Sequence, residues 1–144
     1  MSLFKDIMTV YNHITDADTG KETWQRTVVK SVQWRHNKTE ITVSKGIQTE
    51  KKVESITIDF QRTHRKEKYV DFVEFEKLED KTGFWTLNNR DGLDLIVYGE
   101  CMMEITGTYR ISDLKKDNQY CVTVKAVSDN RNADYLKHIK VVAE

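Results

Sequence analysis

The chain has 144 residues, of which 38% are hydrophobic and 32% charged, and its 23 Lys and Arg residues balance 23 Asp and Glu residues. A chain of this length fits one domain, so we expect a single domain over residues 1–144 with a hydrophobic core that needs neither metal nor disulfide. The zero net charge excludes a global attraction to DNA or to anionic membranes, so any contact with nucleic acid must be local.

The N-terminal residues MSLFKDIMTV place Lys5 and Asp6 where a signal peptide needs an apolar run. No window approaches the roughly 18 apolar residues of a membrane span. These features predict a protein that is made and kept in the cytosol without membrane contact. Cys101 and Cys121 lie outside any CxxC motif or Cys/His cluster, and we expect both to be reduced, partly buried thiols.

Alternation of apolar and polar residues dominates the chain and predicts short strands. In chain order, the predicted strands cover residues 9–14, 24–34, 38–43, 53–60, 84–87, 93–98, 105–111 and 120–126, and a last strand runs through Ile139 and Val141. In the strand 53–60, Ile56, Ile58 and Phe60 share one face, and Thr57 and Asp59 share the other.

Polar turn signals separate these strands at residues 16–20, 45–46, 81–83, 88–92 and 128–132. Helix is scarce: Phe72, Phe75 and Leu78 fit one face of a two-turn helix, and Ser112 is placed to cap a single turn over residues 113–116. The pattern predicts a mainly β fold, a single small antiparallel β-barrel or sandwich with one or two short helices.

The aromatic residues have two interpretations. They are either core anchors of the barrel or a base-stacking platform of the OB-fold kind. Trp24 and Trp34 share a parity with Val28 and Val32, which favours burial. The residues concerned are Trp24, Trp34, Trp85, Tyr11, Phe84, Tyr98 and Tyr109.

Catalytic and cofactor signatures are absent from the sequence. His13, His36, His64 and His138 lack metal-ligand spacing, and there is no GxSxG, GxxxxGK[ST] or GxGxxG motif. We therefore predict no enzymatic activity, no catalytic residue, no cofactor and no metal. A hydrolase of another type would need convergent carboxylates or histidines in a pocket, which spacing alone does not provide.

Five tracts carry a resemblance that runs in order over nearly the whole chain: TVYNH (residues 9–13), WQRTVVKSVQW (24–34), GFWTL (83–87), DLIVYGE (94–100) and YCVTVKAVSDNRNADYLKHIKVVAE (120–144). They resemble minor capsid or head-to-tail connector proteins (adaptor, stopper and head-completion proteins) of tailed phages and prophages of Firmicutes.

The resemblance implies a virion protein at the portal and head-to-tail junction, assembled in the cytoplasm of a bacterial host. Such a protein forms a ring that joins head and tail and gates DNA exit. Its partners would be the portal or adaptor ring, tail proteins and its own copies, and we expect the isolated protein to be monomeric or weakly associated. A tail-terminator or tail-completion role, or an OB-like module that binds single-stranded nucleic acid, is the alternative.

Two tracts are candidate lumen or docking loops. The first is the basic tract after Phe60, which could contact phosphates of passing DNA without sequence preference; its residues are Arg62, His64, Arg65, Lys66 and Lys68. The second is the polar tract 44–52, read as a long flexible loop between strands; its candidate residues are Lys45, Gly46, Gln48, Lys51 and Lys52. A solvated loop explains either tract equally well.

Overall fold

The computed structural model describes residues 4–60, 67–90, 92–132 and 137–144. Along these residues the elements are β1 (Asp6–Thr15), β2 (Glu22–Ser44), β3 (Ile47–Asp59), β4 (Lys68–Tyr69), α1 (Phe72–Lys77), β5 (Phe84–Trp85), β6 (Leu95–Tyr98), α2 (Ile111–Asp117), β7 (Cys121–Asp129) and β8 (His138–Ala143). The prediction of a mainly β fold with one or two short helices is confirmed, and there are two helices among the described residues.

Six strands form one antiparallel sheet in the order β1, β2, β3, β8, β7 and β6, and this sheet closes because β6 pairs with β1. At the closure Met8 lies opposite Tyr98 and Tyr11 opposite Leu95. Alternate side chains of each strand point into the barrel and fill it, as expected for a small barrel. The buried interior residues are Met8, Val10, Val29, Val32, Trp34, Ile56, Ile58, Trp85, Leu87, Ile96, Val124, Ile139 and Val141.

A two-stranded parallel sheet of β4 and β5 lies beside α1 and contributes to this core. Trp85 of β5 is fully buried, with Tyr69 edge-on at 5.0 Å between ring centroids and Phe60 stacked at 6.4 Å. The predicted helix is present as α1, and Phe75 on its predicted apolar face is buried. The helix ends at Lys77, so Leu78 is its C-cap residue.

A second apolar cluster covers the outer face of β1 and β6. Tyr11, Leu95 and Val97 pack there beneath Leu114 of α2 and Cys101. The strand predicted for residues 105–111 is wrong, because the Thr106 hydroxyl accepts hydrogen bonds from the Thr108 and Tyr109 amides and turns the chain.

The second helix also begins earlier than the sequence indicates. The Asp113 carboxylate accepts the Arg110 amide hydrogen at 2.9 Å, and α2 starts at Ile111 with Arg110 as its N-cap residue. The predicted cap at Ser112 is therefore wrong, because an acidic side chain three residues after the cap closes the first turn from within the helix.

Local irregularities in two strands change which residues face the core. In β2, Ser31 has a φ of 62°, and the register with β1 shifts there, so that Asp6 pairs with Val32 and Ile7 with Lys30. Trp24 therefore packs in the outer cluster while Trp34 lies in the barrel, and their predicted common parity is wrong. In β7 the register shifts between Val124 and Ala126, which leaves Ala126 exposed.

Candidate docking surface

Strands β2 and β3 continue beyond the barrel as a hairpin arm, defined here as residues 38–52. The paired rows run from Lys38 opposite Val53 to Ser44 opposite Ile47, and every residue of the arm is exposed. At a rise of 3.2–3.4 Å per residue these rows extend about 20 Å from the barrel. β2, which supplies one side of the arm, is the longest strand in the part of the chain that the structure describes, at 23 residues.

The turn at the tip of the arm consists of Lys45 and Gly46, with φ angles of 52° and 78°. Two left-handed central residues are the signature of a type I′ turn, whose twist matches that of the flanking strands. The flexible loop predicted for residues 44–52 is therefore wrong. Gln48, Lys51 and Lys52 lie on β3 and form ladder pairs with Val43, Glu40 and Thr39.

The arm carries three exposed β-branched residues. Ile41 is 57% exposed, Val43 67% and Ile47 68%. Because residues directly opposite each other share a face of the sheet and neighbours along a strand alternate, Ile41 and Val43 share one face and Ile47 lies on the other. One face of the arm therefore carries two apolar side chains, and the other face carries one.

Both edges of the arm lack a neighbouring strand among the described residues. β1 pairs with β2 only over Glu22 to Val32, and β8 pairs with β3 only over Glu54 to Asp59. The backbone amides and carbonyls on these outer edges face solvent. Exposed edges of this kind are sites at which another chain can add a strand or pack.

A buried carboxylate fixes the base of the arm. Between the rows Arg35–Ser55 and Lys38–Val53, the residues His36 and Asn37 together oppose Glu54, which makes a bulge. Asn37 has a φ of 54°, and its amide donates to Glu54 Oε2 at 2.6 Å. The Trp34 indole donates to Glu54 Oε1 at 3.0 Å.

His36 joins this carboxylate to the barrel wall. Its Nδ1 lies 2.8 Å from Glu54 Oε1, and its ring stacks on Tyr120 at 3.9 Å between centroids. Burial alone raises the pKa of Glu54, but the bonds from Asn37, His36 and Trp34 outweigh it and hold the pKa below its ordinary value. The arm therefore leaves the barrel in a direction set by an ionised, multiply bonded carboxylate.

A second exposed apolar feature is the methionine platform, defined as residues 100–104. Met102 is 70% exposed and Met103 45%, and the acidic residues Glu100 and Glu104 flank them. Sequence reasoning did not identify this platform. The only signal for it was an apolar pair between two acidic residues just after a strand.

Hydrogen bonds hold the backbone of the platform on the barrel. The Tyr11 hydroxyl donates to the Met103 carbonyl at 2.6 Å, and Arg26 Nη1 donates to the Cys101 carbonyl at 3.1 Å. The Cys101 amide donates to the Thr9 hydroxyl at 2.8 Å. Arg26 also pairs with Glu104 at 3.0 Å. The two methionine side chains thus project from an anchored segment.

A polar pocket of about 290 Å³ lies between β1, α1 and the residues after β5, and it is the alternative candidate site. Its central carboxylate, Asp94, is 1% exposed. It accepts hydrogen bonds from the Asn12 amide group at 2.8 Å and from the His13 and Asn88 backbone amides at 2.9 and 3.0 Å. These bonds occupy Asp94, which therefore braces β1 against the residues that follow β5.

The basic tract, the aromatic residues and the possible metal ligands predicted from the sequence are described only in part by the structure. Arg62, His64, Arg65 and Lys66 lie outside the described residues, while Lys68 is exposed on β4. Of the aromatic residues, Tyr11 and Trp85 are fully buried and Trp34 is 6% exposed, as expected for core anchors. Over the described ranges no group of three or more His, Cys, Asp and Glu side chains is placed to hold a metal ion.

The structure also describes the two cysteines, which the sequence predicts to be reduced and partly buried. Cys101 is buried, Cys121 is half-buried, and both are free thiols. Burial raises the pKa of the Cys121 thiol to about 11. Among the described residues no helix has the length and apolar character needed to cross a membrane.

Fold and surface together define a small closed antiparallel β-barrel protein with a projecting hairpin arm. The chain belongs to a family of unknown function, DUF6751, which matches residues 3–144. No curated protein matches the chain, and no solved structure matches it.

Proposed function

We propose that this protein is a non-enzymatic structural component of a tailed-phage virion, located at the portal and head-to-tail junction. It acts there as one subunit of a ring that joins head and tail. The main support for the proposal is the exposed arm that projects from a closed barrel. The resemblance of the sequence tracts to connector proteins is the second support.

The arm is a surface on which a partner can pack. Monomeric proteins usually blunt exposed sheet edges with charged residues such as Lys, short strands, bulges or proline; the arm carries four Lys residues, and the chain contains no proline. Here two edges and three apolar side chains project into solvent. Packing by another protein would cover them, so the arm favours a role in an assembly.

The barrel favours mechanical support over ligand binding. Its interior is filled by apolar side chains such as Trp34, Ile58 and Trp85. Tyr11, Trp34 and Trp85 are buried and unavailable for stacking on bases, which weakens the OB-like alternative, although Tyr98 is exposed. A rigid scaffold with a fixed arm suits a subunit whose task is to hold neighbours in position.

A direct test is the protein content of phage particles. Particles induced from a host strain that carries the gene would be purified and separated into full virions, tailless heads and free tails, and each fraction analysed by quantitative mass spectrometry. We expect the protein in virions and in tailless heads, at a constant ratio to the portal protein. Its absence from all particles would reject the proposal, and its presence only in free tails would favour the tail-terminator alternative.

A variant with a shortened arm tests whether the arm is needed for assembly into particles. Residues 41–50 would be replaced by Asn-Gly, which joins the existing pair Glu40 and Lys51 through a two-residue turn. We expect the variant to fold, because the deleted residues are exposed, but not to enter particles. Incorporation at the normal ratio would show that the arm is dispensable.

The basic tract adds a DNA contact to the proposal on sequence grounds alone. Replacing Arg62, Arg65, Lys66 and Lys68 with Ser should leave folding intact and should give heads that package DNA but leak it or fail to join tails. A normal infectious titre would reject a lumen role for this tract.

A further inference from the structure

We infer that the arm of one copy of this chain docks on the methionine platform of a neighbouring copy. The contact would bring the face of Ile41 and Val43 onto Met102 and Met103. This inference deepens the proposed function, because it assigns the surfaces that would join adjacent subunits of the ring, and it rests on that function.

The first step is that the chain carries two apolar surfaces that do not cover each other. Val43 is 67% exposed and Met102 70% exposed within one copy. Contact between these surfaces within one copy would have lowered both values. The chain therefore presents a donor surface and an acceptor surface for contact with other molecules.

The second step is the match of shape and charge. Ile and Val have stiff side chains, whereas Met adapts its shape to the surface that packs on it. The four Lys residues of the arm outnumber its two Glu residues, but the docking face itself carries one of each, Lys52 and Glu50, and Lys45 is at the tip. The platform is flanked by the exposed acidic residues Glu100 and Glu104, of which Glu104 already pairs with Arg26. Lys45 and Lys52 can therefore approach Glu100, and this charge match favours docking of the arm on the platform.

The third step is that both surfaces are held in place before contact. Glu54 anchors the base of the arm through bonds to Trp34 and Asn37. The Tyr11 and Arg26 side chains anchor the platform backbone. Docking of ordered segments loses little conformational entropy, so a small contact can still be specific.

The geometry also determines the kind of assembly. Arm and platform are different patches, so each copy can donate its arm to one neighbour and receive the arm of another. Such heterologous contacts produce rings when the rotation between subunits closes. A contact of this small size stays weak in isolated pairs and gains strength when the ring closes.

Site-specific photo-crosslinking tests the contact directly. Benzoylphenylalanine would replace Ile41, on the docking face, or Ile47, on the opposite face, as the matched control. On irradiation of concentrated protein, we expect a covalent dimer from the position 41 variant, with the adduct mapped by mass spectrometry to Met102 or Met103. A yield no higher than that of the position 47 control, or adducts elsewhere, would overturn the inference.

A mixing experiment then tests the heterologous geometry. The arm variant Ile41→Ser/Val43→Ser and the platform variant Met102→Ser/Met103→Ser each lose one partner surface, and Val73→Ser alters an exposed apolar residue of α1 as control. By sedimentation, each double variant alone should associate at least about tenfold more weakly than wild type or the control. Their equimolar mixture should form a one-to-one dimer and nothing larger.

Other results of these experiments have distinct meanings. If the platform variant alone associates like wild type, the arm does not dock on the platform and the inference is wrong. If the protein is present in virions but the position 41 crosslink is absent, only the inference fails. If the crosslink forms but the protein is absent from virions, the docking contact stands and the proposed function fails.

Discussion

Removal of the Glu54 carboxylate should destabilise the protein at the base of the arm. Glu54→Ala deletes an acceptor from three donors, Trp34, His36 and Asn37. Asn37 is exposed, so water can replace its bond, but the Trp34 side chain is buried and its indole N–H would lose its partner. An unsatisfied buried donor and the lost charged bonds together cost about 3 kcal/mol.

Urea and thermal unfolding measure this loss. For a chain of this size, about 3 kcal/mol corresponds to a fall in Tm of about 9 °C. Glu54→Gln keeps an acceptor oxygen and should lose about half as much, and Glu50→Ala on the exposed arm, the control, should change stability by less than about 0.5 kcal/mol. A Glu54→Ala cost below about 1 kcal/mol would refute the reasoning.

The pH dependence has a definite sign. The pKa of Glu54 is lower in the folded state than its ordinary value of 4.5, so its stabilising effect is present above that value and is lost as the pH falls through the folded-state pKa. The difference in stability between wild type and Glu54→Gln should therefore shrink as the pH falls below about pH 4. A difference that grows as the pH falls from about 4 would contradict this assignment.

Three further predictions concern the barrel and its thiols. Tyr11→Phe removes the bond to the Met103 carbonyl and should lower the free energy of unfolding in urea by about 1 kcal/mol; no change would mean that water replaces the hydroxyl. Asp94→Asn places an amide group against three donors and should cost about 3 kcal/mol by the same assay, whereas a neutral effect would reject the brace. Because burial raises the pKa of the Cys121 thiol to about 11 and Cys101 is buried, neither should react with Ellman's reagent at pH 8 until urea unfolds the chain; rapid labelling of the native protein would contradict their burial.

The sequence predicted the strands well where one face is buried. In β3, Ile56 and Ile58 alternate with Thr57 and Asp59, and burial in the barrel requires that pattern. It predicted parity poorly in β2, because one residue with a positive φ, Ser31, puts Val32 and Trp34 on the face opposite to that of Trp24. Such a bulge depends on pairing with β1, which local composition does not encode.

The candidate site was harder to predict than the fold. The tract 44–52 reads as a loop because an exposed strand has no buried face to impose alternation, and only the two-residue turn at Lys45 and Gly46 indicated a hairpin. The platform was missed because no periodic pattern distinguishes exposed methionines from core methionines. Its exposure follows from the bonds of Tyr11 and Arg26 to its backbone, which join residues far apart in the chain.

Closure of the barrel imposes an order on folding. The Thr9 hydroxyl bonds the Gly99 carbonyl across a separation of 90 residues, whereas the arm closes between Ser44 and Ile47. Hairpins form in about 1–10 μs, while barrels with distant pairings take milliseconds to seconds. The arm would then be complete while the barrel is open, so newly made chains at high concentration could meet through their arms first. The refolding yield of the wild-type protein should fall as the protein concentration rises. The refolding yield of the variant that lacks residues 41–50 should not depend on protein concentration.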